Sequence, residues 1–126
     1  MKQTLEIPIE LPDLNKVIEM SKKHWSEYSK QKKRFNVVIA SYAKKQLKPV
    51  KKIADIHCHW VCKDRRKDKD NIAAGLKFIL DGLVEAKIIK NDGWNWIGNI
   101  SHTFEVDETI PSYKRKSRVL VTITEK

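Results

Sequence analysis

The chain has 126 residues, with 26 Lys and Arg against 16 Asp and Glu, a formal net charge of +10. That length admits one domain with a real core, spanning 1–126, and its two cysteines, Cys58 and Cys62, argue against a secreted disulfide scaffold. No apolar run reaches the roughly 18 residues of a membrane span and no signal pattern opens the chain, so a cytosolic protein with no membrane partner is predicted, while the positive balance attracts polyanions by counterion release.

In chain order, Leu5, Ile7, Ile9 and Leu11 alternate as in a half-buried strand. Pro8 cannot donate a ladder bond, which predicts an edge strand. Pro12-Asp13 offers a turn and a helix cap, followed by a short helix over 15–23. Phe35, Val38, Ile39 and Tyr42 lie on one face of an amphipathic helix predicted over 31–47 and ended by Pro49. Ile53 to Cys62 alternates again, with Ile56, Cys58, Trp60 and Cys62 on one face and Asp55, His57 and His59 on the other.

A single helix is predicted over 72–86, because Ile72, Leu76, Ile79, Leu80 and Leu83 gather on one side at 100° per residue. Asp70, Ala74, Lys77 and Asp81 fall on the opposite side. Asn91-Asp92-Gly93 reads as a turn. Two strands, 94–106 and 118–124, then flank a polar, basic loop holding Lys114, Arg115 and Lys116. The order β-α-β-α-β-β predicts an α+β (mixed α/β) domain: one mixed four-stranded sheet with helices packed on it.

The acids carry the functional signal. Asp64, Asp68 and Asp70 are embedded in the basic run Lys63-Asp64-Arg65-Arg66-Lys67-Asp68-Lys69-Asp70-Asn71, and Asp92 follows the next helix. Crowded carboxylates repel one another, so they call either for local ion pairs with Arg65, Arg66 and Lys67 or for a divalent cation with oxygen ligands. Asp68 and Asp70, two apart in extended chain, point to one side, and Asp70 is placed to cap the helix that follows. Asp92 starts far away, since 72–86 spans about 22 Å if fully helical. An extended 87–91 covers about 17 Å, so either a fold-back or a partner subunit brings Asp92 to the other two.

At these residues the chain resembles the RusA-type Holliday junction resolvases, especially the phage-borne branch. The resemblance rests on Arg65-Arg66-Lys67-Asp68-Lys69-Asp70-Asn71, then Lys77, then Asp81-Gly82-Leu83, then Asn91-Asp92, with Leu11-Pro12, Asn15 and the strand Val121 to Glu125 in support. It implies a homodimeric endonuclease that binds four-way (branched) DNA junctions and nicks them symmetrically with Mg²⁺ or Mn²⁺. By position, Asp68, Asp70 and Asp92 would be the metal-binding, catalytic carboxylates. Lys77 takes the family lysine's place, although the helix is three residues longer here and a count forward from Asn71 falls on Ala74. Asn91 stands where the family has an acid. A cation held by the three aspartates would activate a water and polarise the scissile phosphate. Lys77 would offset charge at the leaving oxygen.

Phosphate contacts are expected from Arg65, Arg66, Lys67 and Lys69 and from Lys32, Lys33 and Arg34. His57-Cys58-His59 with Cys62 invites a zinc reading, but strand alternation turns the histidines away from the thiols. His24 and His102 have no apparent partner. One or both of Trp94 and Trp96, beside Asp92, are read as packing under the turn, with base stacking by an exposed Trp the alternative. Two other functions stay open: a non-catalytic basic nucleic-acid-binding protein whose acids merely cap and pair, and a dimeric regulator.

Overall fold

The computed structural model describes residues 1–126. Strands β1 (Lys2–Ile7), β2 (Ala54–Cys62), β3 (Ile97–Val106) and β4 (Arg118–Glu125) form one sheet in the order β1-β4-β2-β3. β4 is antiparallel to both neighbours, whereas β2 and β3 run parallel. The expected mixed four-stranded sheet with helices on it is therefore what this sequence forms. β1 is an edge strand and stops at Ile7, before Pro8 breaks the ladder.

One face of the sheet is apolar and the other polar, because each strand alternates. Leu5, Ile7, Ile56, Cys58, Trp60, Val119, Val121 and Ile123 point to the helices and are buried in a single core. Burying each of the larger aliphatic side chains stabilises the fold by about 1.5–3 kcal/mol. On that layer lie α1 (Leu14–Ser21), α2 (Trp25–Gln46), the one-turn α3 (Lys69–Ala73) and α4 (Leu76–Glu85). The opposite face carries Thr122, His57, His59, Ser101 and Thr103.

Several boundaries differ from the sequence reading: the strand read through Ile9 and Leu11 ends at Ile7, and α1 covers Leu14–Ser21 rather than 15–23. α2 begins at Trp25, six residues before the predicted start, with His24 as its N-cap. Its first turns bury nothing, so they leave no apolar periodicity to read. β3 begins at Ile97, three residues after the predicted 94, because Gly93 to Trp96 forms a turn closed by Trp96 N–H to Gly93 O at 3.0 Å.

The predicted helix over 72–86 is in fact two, separated at Ala74-Gly75. The backbone there stays right-handed but tightens to i→i+3 bonds, Gly75 N–H to Ile72 O at 3.1 Å and Phe78 N–H to Gly75 O at 3.1 Å. The cause is a close approach: a Cβ on Gly75 would lie 2.9 Å from Trp60 Cη2 and 3.3 Å from Leu11 Cβ. Glycine lets the helix sit on the indole, and the helical run pivots there.

α4 ends in a Schellman motif. Ile88 N–H reaches Leu83 O and Lys87 N–H reaches Val84 O, each at 2.9 Å, with Lys87 at φ 60° in the left-handed region. The chain then turns to the start of β2, where Val50 N–H bonds Ile88 O at 2.7 Å and Ala54 N–H bonds Trp96 O at 3.0 Å. Helices α3 and α4 thus form the crossover between the parallel strands β2 and β3. Residues 63–70 sit at one end of the sheet and residues 88–96 at the other. No helix is long and apolar enough to cross a membrane.

Candidate active site

The chain leaves β2 into its most charged stretch, and ion pairs shape that stretch. Lys67 Nζ lies 2.8 Å from Asp13 Oδ2 and 3.2 Å from Glu10 Oε1, and Lys63 Nζ lies 3.5 Å from Glu10 Oε2. Arg65 pairs with Glu108. Arg66 Nε is 3.8 Å from Asp64 Oδ2, and Asp64 Oδ1 accepts from the Arg66 N–H at 3.0 Å. The cations expected to neutralise Asp68 and Asp70 are therefore engaged with other acids. Neither Asp68 nor Asp70 has a cationic partner within ion-pair distance.

Asp68, rather than Asp70, is the N-cap residue of α3, and its carboxylate accepts no capping bond. Asp70 lies in the first turn, where the expectation had it capping, and its Oδ1 accepts from Asn71 N–H at 2.9 Å. Asn71 faces the other way: its Oδ1 accepts from the Asn15 N–H at 3.1 Å. Together with Lys67–Asp13, this bond ties the acidic loop to the start of α1. The sequence signals Asn15 and Asn71 thus meet in space beside the Asp13–Lys67 pair.

The Asp13–Lys67 pair is the best-formed charge contact at this end. Burial alone would raise the Asp13 carboxyl. The Lys67 ammonium and the Lys16 N–H, which donates to Asp13 Oδ1 at 2.8 Å, outweigh it and hold the group below the ordinary carboxylate value. In return, hydrogen bonding to Asp13 raises the Lys67 ammonium above its ordinary value, against a smaller opposing effect of burial.

Asp68 and Asp70 open onto a groove of about 570 Å³, lined also by Asp64, Lys69, Phe104 and Glu105. Glu105 accepts from or pairs with His59 Nε2 at 2.9 Å. Lys69 Nζ stands over the Phe104 ring, 5.8 Å from its centroid. Behind Phe104, the His102 and Trp60 rings stack in series, and Trp60 Nε1–H donates to His102 Nδ1 at 2.9 Å. Burial, aided by the nearby His57, lowers the His102 pKa and favours the neutral ring that this bond requires.

The β3 contribution to the groove was absent from the sequence reading, as was a partner for His102. The signal for both is topological. A helical crossover makes β3 parallel to β2 and brings Phe104 level with Trp60 and Val106 level with Cys62. His24 also has a partner, its own cap contact with Ser26.

Asp92 does not join Asp68 and Asp70. It follows α4 at the end of the sheet where β2 begins, whereas Phe104 and the groove stand level with Trp60, six residues along β2. At about 3.3 Å per residue the separation is about 20 Å. The fold-back that would close the aspartate triad within one chain therefore does not occur, because the Schellman turn directs 88–96 to the start of β2. Of the two tryptophans, Trp96 is partly buried, while Trp94 beside Asp92 is 93% exposed.

Lys77 is likewise outside the groove. It pairs with Asp81 one turn on at 3.2 Å, and Lys32 of α2 approaches the same carboxylate at 3.8 Å. Lys33 and Arg34 are exposed on α2 and form no ion pair. His57 and His59 point to the open face and Cys58 to the core, as alternation required. The histidines instead form a hydrogen-bonded ladder, Ser101–His57–Thr103–His59–Glu105, with contacts of 2.6–2.9 Å.

No three His, Cys, Asp or Glu side chains stand close enough together to form a cage for a metal. Two unpaired carboxylates nevertheless fit Mg²⁺. That ion keeps several waters and is commonly bound by one or two carboxylates together with substrate phosphates. Neither a protein-family model nor a curated protein matches this chain.

Proposed function

We propose that this protein is a metal-dependent, structure-selective DNA endonuclease of the RusA type, acting on four-way junctions as a homodimer. The observation that carries the reading is the pair of unpaired carboxylates, Asp68 and Asp70, on a groove of a chain whose net charge is +10. In so cationic a chain, two adjacent anions without partners oppose polyanion binding unless a cation comes with the substrate. The neighbouring acids Asp13, Glu10, Asp64 and Glu108 all have cationic partners, which isolates this pair further.

Asp68 and Asp70 would hold Mg²⁺ or Mn²⁺, which when bound supplies an activated water and neutralises charge at the phosphate. Asn71 and Lys67 fix the loop on α1, so the two carboxylates are presented without a search through loop conformations. Lys69, held against the Phe104 ring, is the cation nearest to them along the chain and meets a phosphate oxygen at the groove wall. Lys77, engaged with Asp81, sits one helix further on and contacts the flanking backbone instead.

Paired nicks in opposite strands require two grooves related by a two-fold axis. In such a dimer Asp92 of the second copy completes the acidic set that one chain leaves open. The test is nicking of a synthetic four-way junction with and without Mg²⁺. Nicking by wild type, lost in Asp70→Asn with junction binding retained, is the expected result. Undiminished cleavage by Asp70→Asn would refute the assignment.

A second reading is favoured by the distance of Asp92 and Lys77 from the groove: a basic protein that binds nucleic acid without cutting it. It predicts junction binding with no nicking at any Mg²⁺ or Mn²⁺ concentration.

A further inference from the structure

Beside the acidic groove lies a second cavity of about 280 Å³ that the proposed reaction does not use. It is formed where the β3–β4 connection folds over the end of β2, and the Lys63 N–H donates to Ser117 Oγ at 3.2 Å to hold the connection there. Both cavities share Cys62 as a wall, so only the start of the charged loop separates them. Since one water accounts for about 30 Å³, the space accommodates a phosphate and part of a sugar.

Its lining is mainly cationic, four basic side chains against the one carboxylate of Asp107, and three of the four have no ion-pair partner. Lys114, Arg115 and Lys116 have no acid within ion-pair distance, in contrast to Lys63, Arg65, Arg66 and Lys67. Arg115 donates through Nε to Ile110 O at 2.8 Å, which fixes the guanidinium while leaving its terminal N–H groups free. Arg118 Nε is shielded from solvent and has no hydrogen-bond acceptor, although its charge is paired with Glu6 Oε1 at 3.6 Å. The single acid in the lining, Asp107, accepts from the Thr109 N–H and hydroxyl, which with Arg118 and Arg115 nearby hold it ionised and offset part of the positive charge. Tyr113, adjacent in sequence, is 82% exposed and offers an aromatic face.

We infer that Arg115, Lys114, Lys116 and Arg118 form a phosphodiester-binding pocket that seats the strand next to the one lying in the Asp68–Asp70 groove. Guanidinium and ammonium donors around a concave wall suit a phosphate, and the exposed Tyr113, one face of which lies under Lys114 Nζ at 5.7 Å from the ring centroid, keeps its other face for an unpaired base. The inference rests on the nucleic-acid reading above. It moves the principal backbone contact away from the Arg65–Lys67 run, whose charges are engaged within the chain.

The experiment measures binding of a labelled four-way junction by fluorescence anisotropy across a salt series. Lys114→Gln/Lys116→Gln spares the Arg115 bond that holds the loop, and Arg115→Gln is added in a second variant. Lys44→Gln/Lys45→Gln on α2 removes the same charge elsewhere. Thermal melts monitored by circular dichroism verify that each variant folds.

The pocket variants are expected to bind about tenfold more weakly at about 0.1 M salt, with the slope of log Kd on log salt flattened by about 0.9 per lost contact. The α2 variant should keep the wild-type slope. Equal losses in the pocket and α2 variants, or none in either, overturn the pocket while the nucleic-acid reading stands. Absence of nucleic-acid binding by wild type overturns both. Pocket-dependent binding without nicking in Mg²⁺ upholds the pocket and overturns the endonuclease.

Discussion

At the scale of single residues, the distinction that matters is between acids with a partner and acids without one. Asp68→Asn and Asp70→Asn remove a charge that no side chain neutralises, so neither should destabilise the fold. Each should retain or tighten junction binding and lower Mg²⁺-dependent nicking by about 100-fold or more in a single-turnover assay. Asp13→Ala is the opposite case. It removes the cap of α1 and the partner of Lys67, and should cost about 1–2 kcal/mol in urea denaturation. The pH dependence follows from the same pair. Asp13 titrates below its ordinary 3.8, so its contribution is present above that pH and lost as pH falls through the folded value. Lys67 titrates above its ordinary 10.5, so its contribution is present below that pH and lost as pH rises through the folded value. Stability of wild type relative to Asp13→Asn should therefore be flat between about pH 4 and 10 and shrink outside those limits.

At the scale of elements, two glycines decide how the helices sit. A Cβ on Gly82 would fall 2.4 Å from Ile39 Cγ2 and 2.7 Å from Ile39 Cβ, inside the α2–α4 contact where Phe35 and Phe78 also meet edge to face. Gly82→Ala should cost about 1–3 kcal/mol despite its better helix propensity, because helix backbones must separate to admit the methyl. Gly75→Ala meets mainly the rim of Trp60 and should cost less than Gly82→Ala in the same denaturation series. β2, β4 and the start of α1 were legible in the sequence because alternation and Asp13 leave direct marks on residue type. The break at Gly75 was not, since the apolar stripe through Ile72, Leu76 and Ile79 continues across it, and only the Trp60 contact reveals the pivot. The first turns of α2 were hidden for the converse reason: exposed helix carries no period. Within the site, the 68–71 segment could be read from its charges. Phe104, Glu105 and the stack behind them depend on which strand lies beside β2, and that is a long-range choice with no local imprint.

At the scale of the whole molecule, the sheet separates two sets of residues that sequence proximity suggested belong together. Asp68 and Asp70 stand at one end, and Asp92, with the exposed Trp94, at the other. If a second copy supplies Asp92, mixing the inactive variants Asp70→Asn and Asp92→Asn should restore partial nicking, because one of the two grooves in each mixed dimer is intact. Recovery absent from the mixture, with each variant inactive alone and shown to exchange subunits, would exclude that arrangement. Sedimentation equilibrium of wild type gives the mass of the assembly independently.

The two thiols have a practical use that follows from their positions. Cys58 is sealed in the core, its pKa pushed up to about 12 by burial, whereas Cys62, also pushed up by burial and by the Asp64 and Glu10 carboxylates, is only half-buried and borders both the acidic groove and the basic pocket. At mildly alkaline pH, where more of the Cys62 thiol ionises, a thiol-specific dye should attach at that one position without mutagenesis. Its emission would register occupancy of either cavity as it happens, a native vantage point for following substrate arrival in real time.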